Sequence, residues 1–218
     1  MKCDLSQLSL HFIGPNSTTS ANILYLNDIQ IEDTDISYLF GKGNYTGYYI
    51  YSNGLAIKNT VIGLNSINFV NVTNIAKLFS NSLIKSLTAS DIDLSNAIGI
   101  GDIFNGCNEL FALNLSNWNV SNLNELSCMC YNCSNLVDVT MDNWNVTNVI
   151  SMGRMFTGCN NLSDASIDSI VNMCINAVNI TYKNIRITNV YSPFYGTNIT
   201  NTRYQNRWEE LTAAGWTY

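Results

Sequence analysis

Apolar residues recur through the middle of the chain at slots fixed by a 26-residue offset. Aligning FNGCNELFALNLSNWNVSNLNELS from Phe104 with CYNCSNLVDVTMDNWNVTNVISMG from Cys130 and FTGCNNLSDASIDSI from Phe156 superposes Cys107, Cys133 and Cys159, then Leu110, Leu136 and Leu162. Leu113, Val139 and Ala165 coincide next, followed by Leu115, Met141 and Ile167, while Trp118 falls on Trp144 and Val120 on Val146. A fixed period with apolar residues at fixed slots means that each unit is one supersecondary turn, able to bury its face only by stacking on its neighbours. The expected architecture is therefore a solenoid.

Within a unit, L-x-x-L-x-L ends with the period of 2 that belongs to a short strand with leucine pointing inward. The M-x-x-M-F-x-G-C portion has i, i+3, i+4 apolar spacing, which predicts a helical turn stopped by Gly106 or Gly158. Asparagine at matching positions, Asn117 over Asn143 and Asn119 over Asn145, can ladder or bond backbone at the corners. Upstream, SDIDLSNAIGIGDIFNGC keeps Ile92, Leu94, Ser95 and Asn96 but reads as a unit shortened by five residues, and further degenerate units start near Val72 and Ile23. Five to seven coils at the ~4.8 Å strand spacing would make a core about 30 Å long. GKGNYTGYYIYSN, residues 41–53, interrupts the rhythm and reads as a hairpin or irregular coil.

The repeat unit N-x-x-x-M-F-x-G-C-x-x-L-x-x-L-x-L-S-N-W-N-V-S-N resembles the BspA-like leucine-rich repeats, a family of bacterial surface proteins, mycoplasma lipoproteins and bacteriophage virion proteins. The resemblance covers about residues 91–170. SIDSIVNMCINA is similar to the helix that follows the last repeat in that family, and WEELTAAGWTY resembles its closing helix and strand. The fold implied is α/β, a leucine-rich-repeat solenoid of about 21–26-residue coils with a C-terminal helix-strand cap. It divides into degenerate N-terminal coils over 1–90, regular repeats over 91–162 and the cap over 163–218, in one continuous domain.

Composition narrows the function. Net charge −6 and a pI near 4.5 remove the basic footprint that phosphate neutralisation needs, so nucleic acid is not expected as a partner. No apolar run approaches the ~20 residues that span a bilayer, so no membrane insertion is expected. The 34 asparagines put the polar mass into amides, as the corner slots require.

Candidate chemistry is sparse. Cys128, Cys130 and Cys133 could be zinc ligands, but Cys130 takes the slot of Phe104 and Phe156, so small buried thiols are expected and no metal. The seven cysteines are read as reduced. His11 is the only histidine and has no nucleophile motif near it. The carboxylate pairs Asp91/Asp93 and Glu209/Glu210 read as solvated, and Gly41-x-Gly43-x-x-x-Gly47 departs from a dinucleotide fingerprint. No enzyme and no cofactor are expected.

What remains is surface. Outward strand positions should stack into three columns, Ala112/Asp138/Asp164, Asn114/Thr140/Ser166 and Ser116/Asp142/Asp168, giving a flat polar and acidic sheet for a basic partner. The bland alternative is a merely solvated face. Tyr45, Tyr48 and Tyr49 form a second candidate contact, with core packing the alternative. With no signal, anchor or sorting motif in the sequence, the resemblance implies a capsid- or tail-associated virion protein acting in assembly or host attachment, with a surface adhesin as the alternative. The expected partners are other virion proteins, or a host cell-surface protein or glycan.

Overall fold

The computed structural model describes Ile23–Tyr25, Thr60–Ile62, Phe69, 71–199 and 203–218. Five three-residue strands, β1 (Ile23–Tyr25), β2 (Thr60–Ile62), β3 (Ser86–Thr88), β4 (Ala112–Asn114) and β5 (Asp138–Thr140), form one parallel sheet in chain order. They are followed by α1 (Asp164–Asn176), a 3₁₀ turn (Gln205–Arg207) and α2 (Trp208–Ala213). Leu113 pairs with Leu87 on one side and Val139 on the other, so the 26-residue offset of the sequence is the register of the sheet. Between β1 and β2 the offset widens, Ile23 pairing with Thr60, and the interval contains residues 41–53, which lie outside the described residues.

Backbone bonds tie successive layers together away from the strands as well. Asp93 bridges Asn119, while Asn74, Gly99, Glu125 and Ser151 form a parallel chain of bridges on another side. The alignment of Asp91–Asn96 with a strand unit is corrected by this register. Asp93 lies beside Asn119, so I-D-L-S-N stands where W-N-V-S-N stands in the next layer, Ile92 replacing Trp118. Nothing is missing from that layer. The alignment with a strand unit arises because I-D-L-S-N mimics L-x-L-S-N.

The expected helical turn before each strand is also corrected. Residues 101–106 and 127–132 are turns, because Asp102 and Cys128 (both φ 59°), and then Gly106 (φ 74°) and Asn132 (φ 59°), adopt left-handed backbone that no helix tolerates. The amides then alternate. Ile103, Asn105 and Cys107 donate within the layer to Ile100, Asp102 and Phe104, whereas Asp102, Phe104 and Gly106 donate to Ser127, Met129 and Tyr131 of the next layer. Apolar spacing at i, i+3, i+4 is thus produced by a ribbon whose every second amide is spent on its neighbour. A Cβ at Gly106 would lie 2.2 Å from Asn81 Oδ1, and one at Gly158 2.7 Å from Asn132 Oδ1. The column therefore alternates Asn and Gly for both conformation and space.

Among the described residues the interior is one apolar cluster from Phe69 to Trp216, and it includes Leu110, Leu136, Leu162, Leu113 and Val139. Phe79 stacks on Phe104 at 5.5 Å and Trp118 on Trp144 at 6.2 Å. The indole of Trp144 donates to Leu115 O at 2.7 Å, and that of Trp118 donates to Ala89 O. Ala165 does not continue the Leu113/Val139 column, since it is exposed on α1.

α1 closes the last strand. Ser163 caps the helix, and Ser166, 2% exposed, accepts from Val139 N at 2.7 Å and donates to Val137 O at 2.9 Å. Ser169 Oγ accepts from Met141 N at 3.2 Å. Serines three apart on a helix thereby meet amides two apart, one in β5 and one directly after it, taking the place of a further strand at an otherwise open edge. Phe194, Tyr204, Leu211 and Trp216 complete the cover, with Trp216 Nε1 donating to Cys174 O at 2.8 Å.

Candidate partner-binding faces

The outward strand positions are short polar side chains on β4 and β5. Asp138 and Asp142 are exposed, while Asn114, Thr140 and Ser116 are half-buried. Asn114 Oδ1 accepts the Ser116 amide at 3.1 Å, so one amide oxygen is already engaged in a local turn. The third members of the columns do not belong to this face. Asp164, Ser166 and Asp168 are helical, and Ser166 is buried under its two bonds to β5 and the chain leading into it.

Asp164 and Asp168 are also engaged by the chain's own cations. Arg203 Nε donates to Asp164 Oδ1 at 2.7 Å, and its Nη2 donates to Leu162 O at 2.7 Å. Arg207 lies 3.9 Å from Asp168 and pairs with Glu210 at 2.6 Å, raising its own pKa and lowering that of the exposed glutamate. The expected acidic sheet thus reduces to Asp138 and Asp142. The sequence misled here because D-A-S-I-D-S-I fits the strand slots and a 3.6-residue helix equally well. Tyr45, Tyr48 and Tyr49 lie outside the described residues.

At the corners, asparagine bonds across layers. Asn143 Nδ2 donates to Asn117 Oδ1 at 2.7 Å, Asn148 Nδ2 to Ser121 O at 2.6 Å and Asn122 Nδ2 to Ser95 O. Asn119 and Asn145 each accept from the backbone two residues on, so this pair builds turns instead of laddering. Asp93 accepts from the Ser95 amide and from Asn119, and the bonds from Ser95 hold its carboxyl below the usual range.

The six described cysteines are free thiols. Cys107, Cys133 and Cys159 each donate S–H to a carbonyl of the preceding layer, Phe79, Phe104 and Cys130, at 3.0 Å. Ser82 holds the equivalent slot one layer earlier and lies 3.4 Å from Cys107 Sγ. The slot therefore needs a small buried donor, which explains cysteine better than small size alone. Burial raises the Cys107 thiol to about 11 and pushes Cys133 and Cys159 well above the ordinary thiol range. Such thiols are poor nucleophiles. Among the described residues no group of three His, Cys, Asp or Glu side chains could hold a metal, and no helix is long and apolar enough to cross a membrane.

A face that sequence reasoning missed lies along the Asn74, Gly99, Glu125, Ser151 bridges. Its margin carries Ile98 and Ile150, both at least half exposed, with Asn124 between them. The available signal was the recurrence of isoleucine two periods apart at an outward slot.

The chain belongs to the family described as "Mycoplasma protein of unknown function, DUF285", which it matches over residues 51–170. Comparison with curated proteins and with solved structures gives no match.

Proposed function

We propose that the chain is a BspA-like leucine-rich-repeat solenoid that works as a non-enzymatic binding module. The observation that carries this reading is the layer-by-layer register. Residues 25 or 26 apart stand side by side on the strands and on the bridged sides, so any outward slot becomes a column of side chains with a repeat of ~4.8 Å. Chain segments built this way bury their apolar slots and display the rest as flat, rigid surface, which suits recognition of a macromolecule.

The setting that the repeat resemblance supports is a bacteriophage virion, with the protein on capsid or tail and holding a neighbouring virion protein or a host surface molecule. The Mycoplasma description of the matched family favours a bacterial setting, and with it the second reading that the repeat resemblance offers, a surface-exposed adhesin. Quantitative mass spectrometry of purified virions and of surface-biotinylated host cells separates them. Stoichiometric recovery with virions supports the first, and recovery in the biotinylated fraction supports the second. Recovery in neither fraction sinks both.

A further inference from the structure

Of the exposed large apolar side chains among the described residues, which also include Leu83, Phe111, Val178 and Tyr218, Ile98, Ile150, Tyr182 and Tyr191 are brought together by interlayer bonds and a ring stack. Asn124 N donates to Ile98 O, Ile150 N to Asn124 O and Thr181 N to Ile150 O, so these residues follow one another across four layers. Tyr182, next along, stacks on Tyr191 with ring centroids 4.3 Å apart, and both rings are about half exposed. The backbone at Val190 and Tyr191 closes over Gly153, where a Cβ would lie 2.7 Å from Val190 O. A stacked aromatic pair thus ends the row.

Toward the other end, the row continues to Thr73 and Asn74 and has a depression at its glycines. Gly99 and Gly101 stand where the next layer has Glu125 and Ser127, and the missing side chains leave a hollow of about 420 Å³ whose lining includes Thr73, Ile98, Asp102 and Glu125. Glu125 Oε1 accepts the Ser127 amide at 2.6 Å and Asp102 Oδ1 accepts Asn105 Nδ2 at 2.6 Å, bonds that fix both carboxylates in place. The ion pairs among the described residues are made by Arg203 and Arg207, so neither of these acids is in one.

We infer that this face docks an extended segment of a protein partner, with a lysine or arginine in the Gly99 hollow and an apolar side chain against the Tyr182–Tyr191 pair. Charge complementarity selects the first contact: a basic head meets Asp102 and Glu125 while its methylene stem lies along Ile98. The aromatic pair supplies a large, rigid apolar contact for the second. Three layer steps of ~4.8 Å separate the two ends, about 14 Å, which an extended chain at ~3.3 Å per residue covers in about four residues. The partner motif is therefore a basic residue followed about four positions later by an apolar one. This inference rests on the binding-module reading and adds a place and a partner chemistry to it.

The test is a ¹⁵N NMR titration of the full chain with three defined probes: the peptide KKSSLL with blocked termini, its counterpart EESSLL, and chitotriose. The expected result is saturable shifts at Gly99, Gly101, Glu125 and Tyr182 with the lysine peptide, binding at least tenfold weaker with the glutamate peptide, and none with the sugar. The D102N/E125Q double variant, exchanging two half-buried carboxylates for isosteric amides, should weaken the lysine peptide at least tenfold, and Tyr182→Ser at least threefold, with the remaining spectrum unchanged. Equal binding of the two peptides, chitotriose alone shifting these amides, or no shift with any probe would each overturn the inference. None of those results touches the binding-module reading, which fractionation of virions and cells decides separately.

Discussion

Replacing Ser166 by alanine isolates the contact that ends the sheet. The hydroxyl accepts from Val139 N at 2.7 Å and donates to Val137 O at 2.9 Å, using its single proton on the carbonyl and a lone pair on the amide. Val137 O keeps a second donor, Ser163 N at 2.9 Å, so the loss falls on the Val139 amide. Val139 is 2% exposed, and the alanine methyl brings no acceptor. An orphaned buried amide costs about 1–3 kcal/mol, and at about 2–4 °C per kcal/mol for a chain of this size the Tm should fall by roughly 2–12 °C. Ser169→Ala is the control, because its bond to Met141 N is longer, 3.2 Å, and only part-buried, so its loss should cost under about 1 kcal/mol. Urea melts of the three proteins, with hydrogen exchange at the Val139 amide, give the comparison. If Ser166→Ala stays within ~0.5 kcal/mol of the parent and Val139 remains protected, α1 is not what closes the sheet.

Three further outcomes follow from the same packing. Leu136→Ala should cost about 2–5 kcal/mol in denaturant melts, as for a fully buried leucine, and a loss below ~0.5 kcal/mol would remove Leu136 from the core. Burial raises the folded Cys107 thiol to about 11 from an ordinary value of 9.0, so the unfolded chain loses its proton first. The stability from this thiol is complete below about pH 9 and declines as the pH rises toward 11, by about 1.4 kcal/mol per pH unit, with Cys133 and Cys159 adding in the same direction. Urea midpoints unchanged between pH 8 and 10.5 would contradict this. Deleting residues 205–218 removes Leu211 and Trp216 from the cluster and should yield aggregated or unfolded protein, visible by light scattering, whereas an equally stable soluble truncation would show that the segment covers nothing.

How much was legible in the chain depended on which constraint each slot obeys. Leu113 over Val139 was readable because an inward strand slot admits only apolar residues and repeats at a fixed offset. The ribbon at 101–106 was not, because left-handed backbone at Asp102 leaves no hydrophobic signature, and the surviving apolar spacing is the one a helix would show. Where the sheet stops was hidden for a similar reason. Ser163 at the cap position and Ser166 and Ser169 beyond it mark a helix start only once the amides they serve are placed. Slot matching found the column of Cys107, Cys133 and Cys159, but its purpose, donation to carbonyls one layer back, is a relation between layers. The Ile98 and Ile150 face was harder to read because Asn124 holds the slot between the two isoleucines, so the outward column has no unbroken apolar signature.

The layered register itself is tested most directly by through-hydrogen-bond couplings between amide nitrogen and carbonyl carbon in the labelled protein. Three amides sample three sides of the core: Leu115 donates to Thr140, Phe104 to Met129 and Asn124 to Ile98. Couplings across these three pairs, each linking residues one layer apart, are the predicted result. A coupling from Phe104 to the carbonyl four residues before it, or from Leu115 and Asn124 to partners at any other offset, would contradict the register and the faces built on it.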